Sequence, residues 1–164
     1  MTKRKSTYIS REKALAKLQK YCAYQDRCHQ EVRSKLLDLG VYGDDLEWIM
    51  ADLIEDNFLN EERFARSYAR GKFRFKHWGR IRIRRELKQR QISDYCLRKA
   101  MEEIEEEDYR QTLDQLLRKK GRLLKEKEVF KRNAKLAAFA IRKGYESGLV
   151  WELIKALPEV LGEE

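Results

Sequence analysis

Leu46, Ile49, Met50 and Leu53 fall at the i, i+3, i+4, i+7 spacing that gathers apolar side chains on one helix face, and Leu97, Ala100, Met101 and Ile104 repeat it. The repetition extends to whole segments. VRSKLLDLGVYGDDLEWIMADL from Val32, IRRELKQRQISDYCLRKAMEEI from Ile83 and LAAFAIRKGYESGLVWELIKAL from Leu136 align without gaps, spaced by 51 and then 53 residues. Apolar positions coincide through all three: Val32, Ile83 and Leu136; Leu36, Leu87 and Ala140; Leu46, Leu97 and Val150; Leu53, Ile104 and Leu157. A fixed period of this length marks a repeat architecture, in which neighbouring units bury one another's faces.

Another amphipathic stretch precedes each copy. Ala14, Leu15 and Leu18 open the first; Leu113, Leu116 and Leu117 open the third. In the second, Asn60 is a candidate N-cap, Glu61 and Glu62 suit the first turn, and Phe64, Ala65, Tyr68 and Phe75 are read as the apolar stripe. Each unit is therefore expected to hold three helices, nine in all, with an all-α fold. The expected organisation is a basic N-terminal tail at 1–9, repeats at 10–59, 60–107 and 108–158, and an acidic tail at 159–164. Between the second and third helices of a unit stand Gly40 and Gly144, suited to a left-handed residue just past a helix end. The second unit has Gln91 there, so either a non-glycine adopts that conformation or the turn differs.

One stretch imitates a strand. Lys72 to Lys76 and Arg80 to Ile83 alternate basic and apolar residues, the pattern of a half-buried strand. The alignment of Ile83 with Val32 and Leu136 favours helix: Arg80 to Arg90 becomes the middle helix of the second unit, with Gly79 near its start, and KFRFK the last turns of the helix before it.

Composition changes the picture mainly through charge. The 164 residues carry a net charge of +9 with 40% charged residues, yet 42% are hydrophobic, which a disordered chain would not supply. The charge is uneven: residues 11–62 hold seven bases and twelve acids, 63–99 fourteen bases and two acids, and EEIEEED at 102–108 six acids. A basic middle between acidic stretches implies an anionic partner. Cys22, Cys28 and Cys96, an odd set, are expected as free thiols in a reducing compartment. No apolar run follows the basic N-terminus as in a signal peptide, and none is long enough to span a bilayer.

The stretch FLNEERFARSYARGKFRFKHWGRIRIRRELKQRQIS resembles the central region of the RecX family of bacterial regulatory proteins. The residues that carry the likeness are Phe58 and Leu59, the turn Asn60-Glu61-Glu62, Arg63-Phe64-Ala65, then Gly79, Leu87 and Ile92; YQDRCHQEVRSKLLDLGV, with Glu31, Lys35, Leu36 and Gly40, is similar to the family's first repeat. The likeness covers about residues 11–157. Gln91 in place of glycine, and the Asn60-Glu61-Glu62 turn in place of an Asp-bearing one, depart from the family pattern. The resemblance implies three tandem three-helix repeats in an elongated, curved molecule. It implies a cytoplasmic, non-enzymatic regulator that binds the RecA recombinase filament on DNA and inhibits or modulates it.

The candidate binding residues are Arg70, Lys72, Arg74, Lys76, Arg80, Arg82, Arg85, Lys88 and Arg90, with Arg82 and Arg85 favoured over Arg84 as outward-pointing. Such a track would attract phosphates without reading sequence, on single- or double-stranded DNA. Arg118, Lys119, Lys120, Arg122, Lys131 and Arg132 are a possible extension, whose alternative is an ordinary charged helix pair. Phe73, Phe75, His77 and Trp78 interleave with the track. They either stack on bases or belong to the core, and the core reading is preferred for Phe75 and Trp78. Cys22, Cys28 and His29 fall short of a zinc ligand set, no phosphate-binding glycine loop is present, and no catalytic set is apparent, so no metal, cofactor or catalytic residue is expected. The chain is expected to be monomeric and off the membrane. The alternative function is a general DNA-binding helical module without a specific protein partner.

Overall fold

The computed structural model describes residues 9–159 and 161, and among them it contains nine α-helices and no strand. The first unit is α1 (Arg11–Tyr24), α2 (His29–Asp38) and α3 (Gly43–Glu55); the second is α4 (Glu61–Lys76), α5 (Arg80–Gln89) and α6 (Asp94–Met101); the third is α7 (Glu106–Leu123), α8 (Val129–Arg142) and α9 (Ser147–Lys155). The basic tail expected at 1–9 falls outside the described residues except for Ile9, and of the acidic tail only Glu159 and Leu161 are described.

Local sequence accounts for several helix ends. Ser10, Asn60 and Ser93 cap α1, α4 and α6, each side chain accepting from the backbone N–H three residues on. The turn after the middle helix is built alike in all three units. Val41, Ile92 and Tyr145 donate their N–H groups to Leu36, Leu87 and Ala140 at 2.9, 3.2 and 3.2 Å. Gly40, Gln91 and Gly144 before them have φ of 80°, 59° and 103°. These are Schellman turns, with the buried residue after each turn packing back on the helix. Gln91 therefore does take the left-handed conformation, at a cost of about 1–2 kcal/mol relative to glycine.

The repeated apolar positions form the interior, but not as one body. Ala14, Leu18, Val32, Leu36, Ile49 and Leu53 make a core for the first unit alone. The second and third units share another, running from Phe64, Ile83 and Leu87 to Tyr109, Leu136 and Tyr145, and Cys28 is the first-unit residue that joins it. Arg63 fastens the first two units together, with Nε 2.8 Å from Asp26 and its terminal nitrogens donating to the carbonyls of Asn57 and Phe58, both at 3.0 Å.

The stripe on α4 differs from the expected one. Phe64, Ala65, Ala69 and Phe73 are its buried residues, whereas Phe75 is 82% exposed. The neighbour changes along the helix. Early turns face α6, while the last turns meet the third unit, where Phe73 lies 6.0 Å from the ring of Tyr109. Phe75, on the same face as Phe64, extends past that packing into solvent. The acidic run is split as well, since Glu102 closes α6 and Glu106, Glu107 and Asp108 open α7, complementing its N-terminal dipole.

Candidate nucleic-acid interface

The basic segment is oriented by a junction at the start of α5. His77 ends α4 with φ 56°, and Gly79 begins the next helix. A helix start leaves unpaired N–H groups. Here the third unit accepts them: Gly79 donates to the carbonyl of Lys143 (2.8 Å), Arg80 to the hydroxyl of Tyr109 (3.0 Å) and Ile81 to the carbonyl of Gly144 (2.9 Å). The Tyr109 hydroxyl in turn donates to Glu146, and Tyr145 donates to the carbonyl of His77 at 2.9 Å. Burial raises the pKa of both phenols well above the ordinary tyrosine value. The positive end of α5 thus abuts the carbonyl end of α8, which holds the two units in one relation.

With the frame held this way, the expected cations fall into distinct groups. Arg70 pairs with Glu103 at 3.4 Å, and Arg90 pairs with Glu86 at 3.3 Å while stacking on Tyr68. Arg80 pairs with Glu106 and Glu146 and lies over Tyr109, so it belongs to the junction rather than to an open track. Lys72 sits over the rings of Trp78 and Tyr68, at 4.9 and 5.4 Å. Arg74, Lys76, Arg85 and Lys88 are exposed and have no acidic partner among the described residues.

Arg82 is a correction. It is half-buried, its guanidinium lying 4.0 Å from the Trp78 ring centre, and its Nε is buried with no hydrogen-bond partner. Arg84, the less favoured of the two in the sequence, is the exposed one. At about 100° per residue, Arg82 and Arg84 flank opposite edges of the arc facing away from Ile83 and Leu87. The third unit covers the Arg82 edge, through Gly144, and leaves the Arg84 edge in water. Arg98, on α6, is also exposed and joins Arg84 and Lys88 along one shallow groove. Nothing in the sequence singles it out, because it lies outside the dense basic run.

The extension fares unevenly. Lys119 and Arg122 are exposed, Lys120 is half-buried, Arg118 pairs with Asp114 at 2.9 Å and Lys131 with Glu128 at 3.3 Å. Arg132 is the second correction. It is 6% exposed and donates to the carbonyls of Pro158 (3.1 Å) and Glu159 (2.6 Å), so it anchors the chain after α9 and offers nothing to a ligand. Trp78 is half-buried against the core, as the core reading requires, and Phe75 is not. Cys22, Cys28 and Cys96 are buried free thiols; burial pushes Cys28 up to about 11, out of the range of a reactive thiolate.

Comparison with known proteins places this geometry in a family. Residues 60–101 match the family description "RecX, second three-helix domain", and residues 106–154 match "RecX, third three-helix domain". The chain is 30% identical over 133 residues to "Regulatory protein RecX" of Clostridium perfringens strain 13, covering 80% of this chain and 62% of that relative's length. It is 32% identical over 133 residues to "Regulatory protein RecX" of Salmonella paratyphi A, covering 75% of this chain and 78% of the relative. The fold is similar to that in the crystal structure of RecX from Lactobacillus salivarius, with a TM-score of 0.81 and 22% identity over 90% of this chain and 96% of the other. Among the described residues, no helix is long and apolar enough to cross a membrane. The chain belongs to the RecX family of regulatory proteins.

Proposed function

From that membership, we propose that the chain binds a RecA filament assembled on DNA and restrains it, acting as a binding protein rather than an enzyme. One observation supports this most. Arg74, Lys76, Arg84, Arg85, Lys88 and Arg98 stay exposed without an acidic partner among the described residues, while Arg66 and Arg70 on α4, Arg80 on α5 and Arg90 just after α5 are all paired. A set of cations without ion-pair partners, with Asp94 the carboxylate that lines the groove of Arg84, Lys88 and Arg98, is poised to displace counterions from a polyanion without reading its sequence. Phe75, exposed between Arg74 and Lys76, adds a ring that can stack on an unpaired base.

In this reading the monomeric chain works in the cytoplasm, needs no cofactor, and lies along the filament with α4, α5 and α6 toward DNA or an acidic filament surface. A general DNA-binding module would have the same face. The two differ in stoichiometry. A filament regulator lowers the DNA-dependent ATPase of RecA at amounts far below those that coat the DNA. If inhibition appears only when the DNA is saturated, the specific-partner reading fails.

A further inference from the structure

A second basic concavity lies between α5, α7 and α8. Arg82, Lys120, Lys135, Arg142 and Lys143 line it around the half-buried ring of Phe139, and none of the residues lining it is acidic. Apart from Lys135, the side chains are held by weak or backbone contacts. The ammonium groups of Lys120 and Lys143 stand 5.2 and 5.9 Å from the centre of the Phe139 ring. Arg142 donates to the carbonyl of Ala138 at 3.3 Å, and Lys143 to that of Lys76 at 3.1 Å. Lys135 has a carboxylate, Glu126 at 3.3 Å.

Two features of this groove are unfavourable as they stand. The buried Nε of Arg82 has no acceptor among the described residues, whereas buried polar groups in folded proteins nearly always have one. Lys143 has its pKa pushed down, first by burial and then by the charge of Arg82 beside it. A single oxyanion in the hollow would offset the repulsion, and an Arg82 side chain turned off the Trp78 ring toward it would give the buried Nε an acceptor.

We propose that this groove binds a backbone phosphate of a nucleic acid, as a second contact separate from the α4–α6 face. Cations from three helices converge on one hollow, and the tetrahedral oxygens of a phosphodiester can accept from several directions at once. Continuity points the same way. The arc of α5 turned away from Ile83 and Leu87 runs from exposed Arg84 through Lys88 and Arg85 to half-buried Arg82, so a strand crossing α5 from the first face arrives at the groove. The assignment rests on the reading that the chain meets nucleic acid.

The test is binding of a fluorescent single-stranded oligonucleotide to the full chain across a salt series, with three variants. Lys120→Gln/Arg142→Gln removes two groove charges at side chains that face the hollow; Arg82→Lys keeps the charge but removes the Nε donor; Arg84→Glu/Arg85→Glu alters only the first face. Thermal melting followed by circular dichroism verifies that each is folded. The groove pair is expected to bind about tenfold more weakly, with the slope of log affinity against log salt shallower by about 0.7 for each phosphate no longer neutralised. Arg82→Lys is expected to weaken binding with the slope nearly unchanged. If the groove variants match the parent while Arg84→Glu/Arg85→Glu loses affinity, the groove is not a phosphate site, although nucleic-acid binding stands. If all three match the parent, nucleic-acid binding itself fails and the groove assignment with it. If the groove pair retains DNA affinity but loses restraint of RecA, the groove serves an acidic protein surface and the phosphate assignment is wrong.

Discussion

Gly79 and Gly144 sit backbone against backbone. A methyl group on Gly79 would overlap the carbonyl of Gly144, and one on Gly144 would overlap Arg82. This approach lets the first amides of α5 reach the last carbonyls of α8, and so fixes how the basic helix is presented.

The two glycines should therefore respond differently from Gly40. Gly40 has φ 80°, and a methyl group added there would meet nothing within 4 Å, so Gly40→Ala should cost only the conformational penalty, about 1–2 kcal/mol. Gly144→Ala adds overlap to the same penalty, and Gly79→Ala meets overlap alone, about 1–3 kcal/mol and more where the backbone cannot shift. Urea unfolding should rank Gly144→Ala as the most damaging. Equal midpoints for Gly40→Ala and Gly144→Ala would mean that the close approach contributes nothing.

Tyr109 offers a pH-dependent check of the same junction. Its folded pKa is raised above the ordinary value of 10.0, chiefly by burial. In the unfolded chain the phenol ionises first, so stability is indifferent to this group below about pH 10 and falls as pH rises beyond it. Tyr109→Phe should soften that alkaline decline. Near neutrality it should cost about 1–3 kcal/mol, because the N–H of Arg80 loses its acceptor. Thermal melts between neutral and alkaline pH measure both effects; a parental alkaline slope in the variant would contradict the assignment.

The alternation in KFRFK separates helix from strand by mutation. Phe73 is buried and Phe75 is exposed, although a strand would place both on one face. Phe73→Ala should cost about 3–5 kcal/mol, and Phe75→Ser less than about 0.5 kcal/mol. Similar losses for the two, read from denaturant midpoints, would revive the strand.

What the sequence reveals and what it hides divides along one physical line. The period of the repeat, the Asn60 cap, the left-handed residues at Gly40 and Gly144, and the burial of Ile83 and Leu87 all follow from interactions within a few residues, and local pattern exposes them. Local pattern misplaces Arg80, Arg82 and Arg132 because their partners lie elsewhere in the chain: Tyr109 and Glu146, Gly144, and the carbonyls of Pro158 and Glu159 respectively. It exchanges Phe73 and Phe75 for the same reason, since only the docking of the third unit decides which of them is covered. Likewise the groove cations come from three separate parts of the chain, Arg82 on α5, Lys120 on α7, and Lys135, Arg142 and Lys143 on or just after α8, so no one run of charge marks them as a group.

The most direct test of the functional account is the Arg84→Glu/Arg85→Glu variant, measured for DNA affinity and for inhibition of RecA ATPase on the same DNA. Both side chains are exposed, so folding should change by less than about 0.5 kcal/mol. The account predicts weaker DNA binding, a salt dependence shallower by about 0.9 on duplex for each phosphate no longer neutralised, and a matching rise in the amount needed to restrain RecA. Unchanged DNA affinity together with unchanged inhibition would contradict it, and would leave the exposed cations of α5 as a solvated surface only.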